Sequence, residues 1–64
     1  MKDFEGKILK IYFNNSQGWV CMTGSFIRKE DDFYIVRDNL SHSIKYLNKN
    51  FIRQIEIVGD SYEQ

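Results

Sequence analysis

Apolar residues recur at every second position near the start of the chain. Leu9, Ile11 and Phe13 fall on one side of an extended segment, with Lys10 and Tyr12 on the other. The alternation predicts a strand over about Phe4 to Phe13. "NNSQG" follows. Asparagine tolerates left-handed backbone angles and glycine adopts them freely, so the chain reverses there. The next segment, "WVCMTGSFIRK", is apolar on both faces, and Gly24 near its middle marks a bulge or a sharp bend. "EDD" then turns into a third strand, "FYIVR", and "DN" into a fourth, "HSIKYL". "NKN" leads into the last, "FIRQIEIV". The spacing of Ile52, Ile55 and Ile57 breaks strict alternation, and a single helical turn followed by a strand explains the break. "GDSYEQ", residues 59–64, reads as a frayed tail.

Five short strands, the second one bent, predict an all-β fold: a small five-stranded barrel of the SH3-like or Sm-like kind. A long strand bent at glycine can serve two sheets, which is how small barrels close their corners. An OB barrel usually carries a helix between its third and fourth strands, where only "DN" is available. No linker, repeat or low-complexity tract interrupts the 64 residues, so the expectation is one domain over 1–64.

Composition agrees with strands. Alanine and proline are absent, whereas isoleucine, valine and threonine number twelve and aromatic residues ten. A chain of this length buries only about 60% of its unfolded surface, so stability is marginal without help. One cysteine and one histidine can build neither an internal disulfide nor a zinc site. Self-association is the remaining common route, which makes a homo-oligomer the expected state. Cys21 sits in an apolar run and is expected to be a buried, inert thiol. A lone cysteine suits a reducing cytosol, so the expected location is cytoplasmic. No apolar run approaches the ~20 residues of a spanning helix, and no membrane partner is implied.

The charges cancel, with nine basic and nine acidic residues, but they are not evenly mixed. Lys7, Lys10, Arg28 and Lys29 lie in a stretch without an acid, and so do Lys45, Lys49 and Arg53. A neutral chain can thus present a basic face, and the local field decides whether a polyanion is attracted. Lysines on solvated strand edges, which discourage edge-to-edge pairing, are the alternative reading.

Nothing in the sequence points to catalysis. Ser41, His42 and Ser43 are neighbours along an expected strand, so their side chains diverge. Asp31 and Asp32 read as a charged turn. No glycine-rich phosphate loop precedes a helix, and no cofactor is implied. Binding is better supported. Tyr12 lies beside Lys10 on the face opposite Leu9, Ile11 and Phe13, and such a pair holds single-stranded nucleic acid by stacking a base and meeting a phosphate. Asn14, Asn15 and Gln17 lie in the turn where they can meet base edges, with Trp19 just beyond. Packing of Tyr12 at a subunit edge, with asparagines that serve only the turn, is the competing reading.

"KIYFNN" leading to a glycine, "GSF", "DDFYIVRDN" and "SIKYLNKNFIRQIEIV" together resemble the Sm-like family, in particular its bacterial Hfq branch, over roughly Lys10 to Val58. The resemblance implies rings of six or seven subunits, joined by the fourth strand of one copy and the fifth of its neighbour, that bind RNA on one or both faces. Under it, Tyr12 corresponds to a base-stacking aromatic and Asp32-Phe33 to a loop near the central pore. The family's tyrosine-lysine-histidine triplet stands here as Tyr46-Leu47-Asn48, with Lys49 and Asn50 following, so Lys49 approximates the missing basic residue. Arg53 adds charge after the same loop. The family's opening helix has no counterpart, since only "MKDFE" precedes the first strand. "GKILKIYFNNSQGWV" also echoes cold-shock proteins, with Trp19 alone on the second strand. The expected function is non-catalytic binding of single-stranded RNA by a homo-oligomer. The alternative is an SH3-like module or small regulator whose partner is a protein.

Overall fold

The alternation in the first segment becomes strand β1, Lys7–Asn15, in a computed structural model that describes residues 4–61. Leu9 and Ile11 turn inward and are fully buried, while Lys10 and Tyr12 keep partial exposure on the other face. The strand starts at Lys7 rather than Phe4 because residues 4–6 form a turn. Gly6 takes φ 70° there, and the Lys7 amide donates to the Phe4 carbonyl at 3.1 Å.

β2, Gly18–Glu30, pairs antiparallel with β1, and Asn15 opposite Gly18 leaves Ser16 and Gln17 as the loop. Ser16 and Gln17 do not take positive φ; Gly18, directly after them, does (110°), as glycine can at the residue that closes such a turn, and the Gln17 amide donates to Asn15 Oδ1 at 2.8 Å. Gly24 keeps regular register between Leu9 and Asp38. Glycine is needed there for a different reason: the Arg37 carbonyl oxygen occupies the place a Cβ would take. The bulge lies further on, where Ile27 is the extra residue between the Phe26–Val36 and Arg28–Ile35 pairs.

β3, Phe33–Asp38, and β4, Ile44–Asn48, complete one side. The expected helical turn is a 3₁₀ turn, Lys49–Phe51, capped by the Asn48 side chain, which accepts from the Asn50 amide at 2.8 Å. β5, Ile52–Asp60, follows. It runs past the expected tail boundary: Asp60 pairs with Lys7, and the Ser61 amide donates to the Gly6 carbonyl at 2.7 Å. Residues 59–61 are therefore tied to β1 rather than frayed, and residues 62–64 lie outside the described residues.

The five strands form one antiparallel sheet in the order β4-β3-β2-β1-β5. Its core is small: Leu9, Ile11, Phe26 and Val36 are buried together, with Phe13, Met22, Leu47, Ile52 and Ile55 packed partly against them. Each fully buried aliphatic side chain contributes roughly 1.5–3 kcal/mol. Phe4, Phe26 and Tyr34 close one end, with ring centroids 5.7–6.5 Å apart. Among the described residues no hydrogen-bonded ladder joins β4 to β5, and these are the sheet's two edges. Ile44 on one edge strand, and Ile57 and Val58 on the other, are exposed.

Candidate nucleic-acid interface

Lys10, Tyr12 and Asn14 alternate along β1 on the face away from the core, and Thr23, Cys21 and Trp19 stand opposite them on β2. Cys21 is thus exposed, not buried as its apolar run suggested. The run is apolar on both faces, but beside Cys21 it is Val20 and Met22 that face inward, with Phe13 and Ile11, their partners on β1.

β5 completes this outer face through a second bulge. Tyr12 pairs with Gln54 and Phe13 with Ile52, so Arg53 is an extra residue with no partner of its own on β1. Ile52 and Ile55 both pack toward the core, and Arg53 and Gln54 both lie on the outer face. This is the physical reason for the broken isoleucine spacing: the helical turn ends before Ile52, and a bulge accounts for the rest.

Two aromatic–cation pairs result. Lys10 Nζ lies 5.6 Å from the Tyr12 ring centroid, and the Arg53 guanidinium lies 5.6 Å from that of Trp19. Since β2 and β5 flank β1, the Trp19–Arg53 pair reaches across the strand between them. Tyr12, Trp19, Arg53 and Gln54 line one shallow depression of about 300 Å³. Trp19 is 56% exposed, so its ring is open to a ligand. Hydrogen bonding with Tyr12, foremost, raises the Lys10 pKa above its ordinary value, and the ammonium stays charged. Gln54 and Glu56, the cross-strand partners of Tyr12 and Lys10, are joined by a 2.7 Å bond from Gln54 Nε2 to Glu56 Oε2. Neither stood out in the sequence. Only the register beside Tyr12 reveals them.

The remaining candidates gather elsewhere. Phe33 and Tyr46 meet edge to face at 6.3 Å, and with Phe13, Asn14, Leu47 and Phe51 they line a second depression of about 290 Å³. Lys49 sits near them on the 3₁₀ turn. Its amide donates to the Asp32 carbonyl at 2.7 Å, and its ammonium lies 3.7 Å from the Asp32 carboxylate, so an acid offsets its charge. Asn50 holds the turn through its amide, and Asn15 commits Oδ1 to the hairpin. Asn14 belongs with this second depression, beside Phe51, and does not line the one at Tyr12 and Trp19.

His42 lies in the loop before β4, not on the strand, with φ 64° and its amide on the Asp38 carbonyl at 2.8 Å. That loop is organised by Asp38, the buried acid that opens the "DN" turn. Its Oδ1 accepts from the Leu40 amide at 2.8 Å, and its Oδ2 pairs with Lys45 at 2.9 Å. The bond to Lys45, foremost, and then the Leu40 amide hold its pKa below the ordinary carboxylate value. The turn at "DN" is as the sequence predicts; the ion pair with Lys45 depends on β3–β4 pairing and is not visible in it. Among the described residues no group of three or more His, Cys, Asp or Glu is placed to hold a metal ion.

No protein-family model, curated protein or solved structure matches the chain.

Proposed function

We propose that this chain is a non-catalytic, single-stranded RNA-binding protein of Sm-like type that acts as a homo-oligomer in the cytoplasm. One observation carries the reading: the outer face of β5-β1-β2 sets two exposed or half-exposed rings, Tyr12 and Trp19, each beside a cation, Lys10 and Arg53. Rings on a strand face stack bases for about 1–3 kcal/mol each, and the cations meet phosphates. The two unpaired edges support assembly. Pairing β4 of one copy with β5 of the next would satisfy both edges, cover Ile44, Ile57 and Val58, and close each protomer's barrel through its neighbours. Repetition around a ring would then multiply weak contacts.

The test is titration of labelled U-rich and A-rich RNA at two salt concentrations, with sedimentation of the protein alone. Binding that weakens steeply with salt, by a ring-sized particle, is the expected result. Absence of binding at low salt, or a well-folded monomer at high micromolar concentration, sinks it. The second reading, a protein-binding module, is favoured by the exposed cluster of Phe33, Tyr46 and Phe51, whose neighbouring charge is offset. It takes over if no RNA binds.

A further inference from the structure

The outer face carries a feature that stacking and charge do not use. Gln54 and Glu56 stand side by side on β5, both exposed, directly across from Tyr12 and Lys10. Their mutual hydrogen bond fixes which way the carboxamide points. A carboxylate only accepts, so Gln54 must turn its Nε2 toward Glu56 Oε2, at 2.7 Å. Gln54 Oε1 is left facing away from that bond. Glu56 Oε1 has no hydrogen-bond partner among the described residues. The edge of the site beside Tyr12 and Lys10 thus presents the Glu56 carboxylate as two adjacent acceptors: Oε1, and Oε2 through its second lone pair, with Gln54 holding the group in place.

We infer that this edge reads guanine. Tyr12 and Gln54 are paired in register, so a base stacked on Tyr12 with its Watson–Crick edge across β1 meets the Gln54–Glu56 edge of β5. Guanine alone places two donors next to one another there, the ring N1–H and the 2-amino group. Adenine and cytosine offer one amino group beside a ring-nitrogen acceptor, which would face the second oxygen with like polarity. Uracil offers a single N–H between two carbonyls. Because both acceptors belong to one carboxylate, the guanine contact is charge-assisted. Lys10, now over the Tyr12 ring, moves aside to the phosphate of the stacked nucleotide, and Arg53 on Trp19 holds the next one. Glu56 would lower affinity for RNA in general by its charge, so its place on this face has a counterpart in selectivity.

The inference rests on the outer face being a single-strand RNA face, and the experiment separates the two. Short labelled RNAs with a uracil background are compared by fluorescence anisotropy at low salt: all-uracil, and with isolated guanines, adenines or inosines. The guanine RNA is expected to bind about tenfold more tightly than the adenine RNA. Inosine, which lacks only the 2-amino group and keeps the N1–H donor, should fall between the guanine and adenine RNAs. Glu56→Gln removes the charge and sets an N–H donor against the guanine donors. It should abolish the preference and raise all-uracil affinity, because a negative charge leaves the face, and circular dichroism should show the same fold because Glu56 is exposed. Equal binding of guanine and inosine RNA, or a preference that survives Glu56→Gln, overturns the inference and leaves RNA binding standing. No binding by any of the RNAs overturns both.

Discussion

The outer face of β5-β1-β2 and the cluster beside the 3₁₀ turn are both rich in aromatic rings, but their rings have different company. On the outer face each ring has a cation 5.6 Å from its centroid. Beside the 3₁₀ turn, Phe33 contacts Tyr46, and both cations at hand already face acids: Lys49 faces Asp32, and Arg28, which also reaches Tyr46, pairs with Glu30 at 2.8 Å. A chain of zero net charge thereby separates two kinds of surface. One suits a stacked polyanion, and the other suits apolar contact. Aromatic content does not distinguish them; the placement of charge does.

The strongest way to break the contrast is to break the sheet that holds both regions. Gly24→Ala puts a Cβ where the Arg37 carbonyl lies, between two backbones that cannot yield as a flexible side chain would. The expected cost is about 2–3 kcal/mol, read as a fall in the thermal midpoint. An unchanged midpoint would mean the strands separate there at little cost. Next in size are the rings. Tyr12→Ala and Trp19→Ala should each weaken RNA binding by about 1–3 kcal/mol in anisotropy titrations. Tyr46→Ala and Phe51→Ala should weaken it less, and equal losses would erase the distinction between the regions.

Acid sharpens the contrast from another side. Asp38 positions the loop that leads into β4, and so into the Tyr46 side of the molecule, and its folded pKa is depressed. Its stabilising contribution is therefore complete above the unfolded carboxylate value near 3.8 and is lost as pH falls through the lower folded value. Acid melts should show wild type losing stability below about pH 4, with a shallower loss in Asp38→Asn. The smallest effects come from single cations. Arg53→Ala should reduce the slope of log affinity against log salt by ~0.7, the value of one single-strand phosphate contact. Lys49→Ala should leave the slope nearly unchanged, because its removal also frees Asp32.

Much of this architecture is readable before any coordinates. Period-two alternation in "LKIYF" assigns Leu9 and Ile11 to the core and Tyr12 to the other face, since a strand has only two sides. The hairpin at Asn15–Gly18 and the turn at Lys49 follow from local residue chemistry in the same way. What escaped depends on pairing between distant segments. The bulges at Ile27 and Arg53 are mismatches between two strands, invisible in either alone. Gly24 announced something unusual, but only the approach of Arg37 from another strand shows what. Cys21 was misplaced because an apolar run does not say how many of its faces are covered. Of the candidate site, Lys10, Tyr12, Trp19 and Arg53 come together on one surface, whereas Phe33, Tyr46, Lys49 and Asn50 belong to the other region.

The extra residue in β5 has a consequence at the level of the gene. Without Arg53, Ile52, Gln54 and Ile55 would alternate in, out and in, as an unbulged strand requires. Removing that single codon would leave a chain able to make the same strand with the same inward side chains, but without the guanidinium over Trp19. The cation therefore occupies the extra position of a bulge rather than a place in the ladder. A one-codon deletion series along Ile52–Ile57 should find residue 53 the most tolerated position for folding, while RNA affinity still falls.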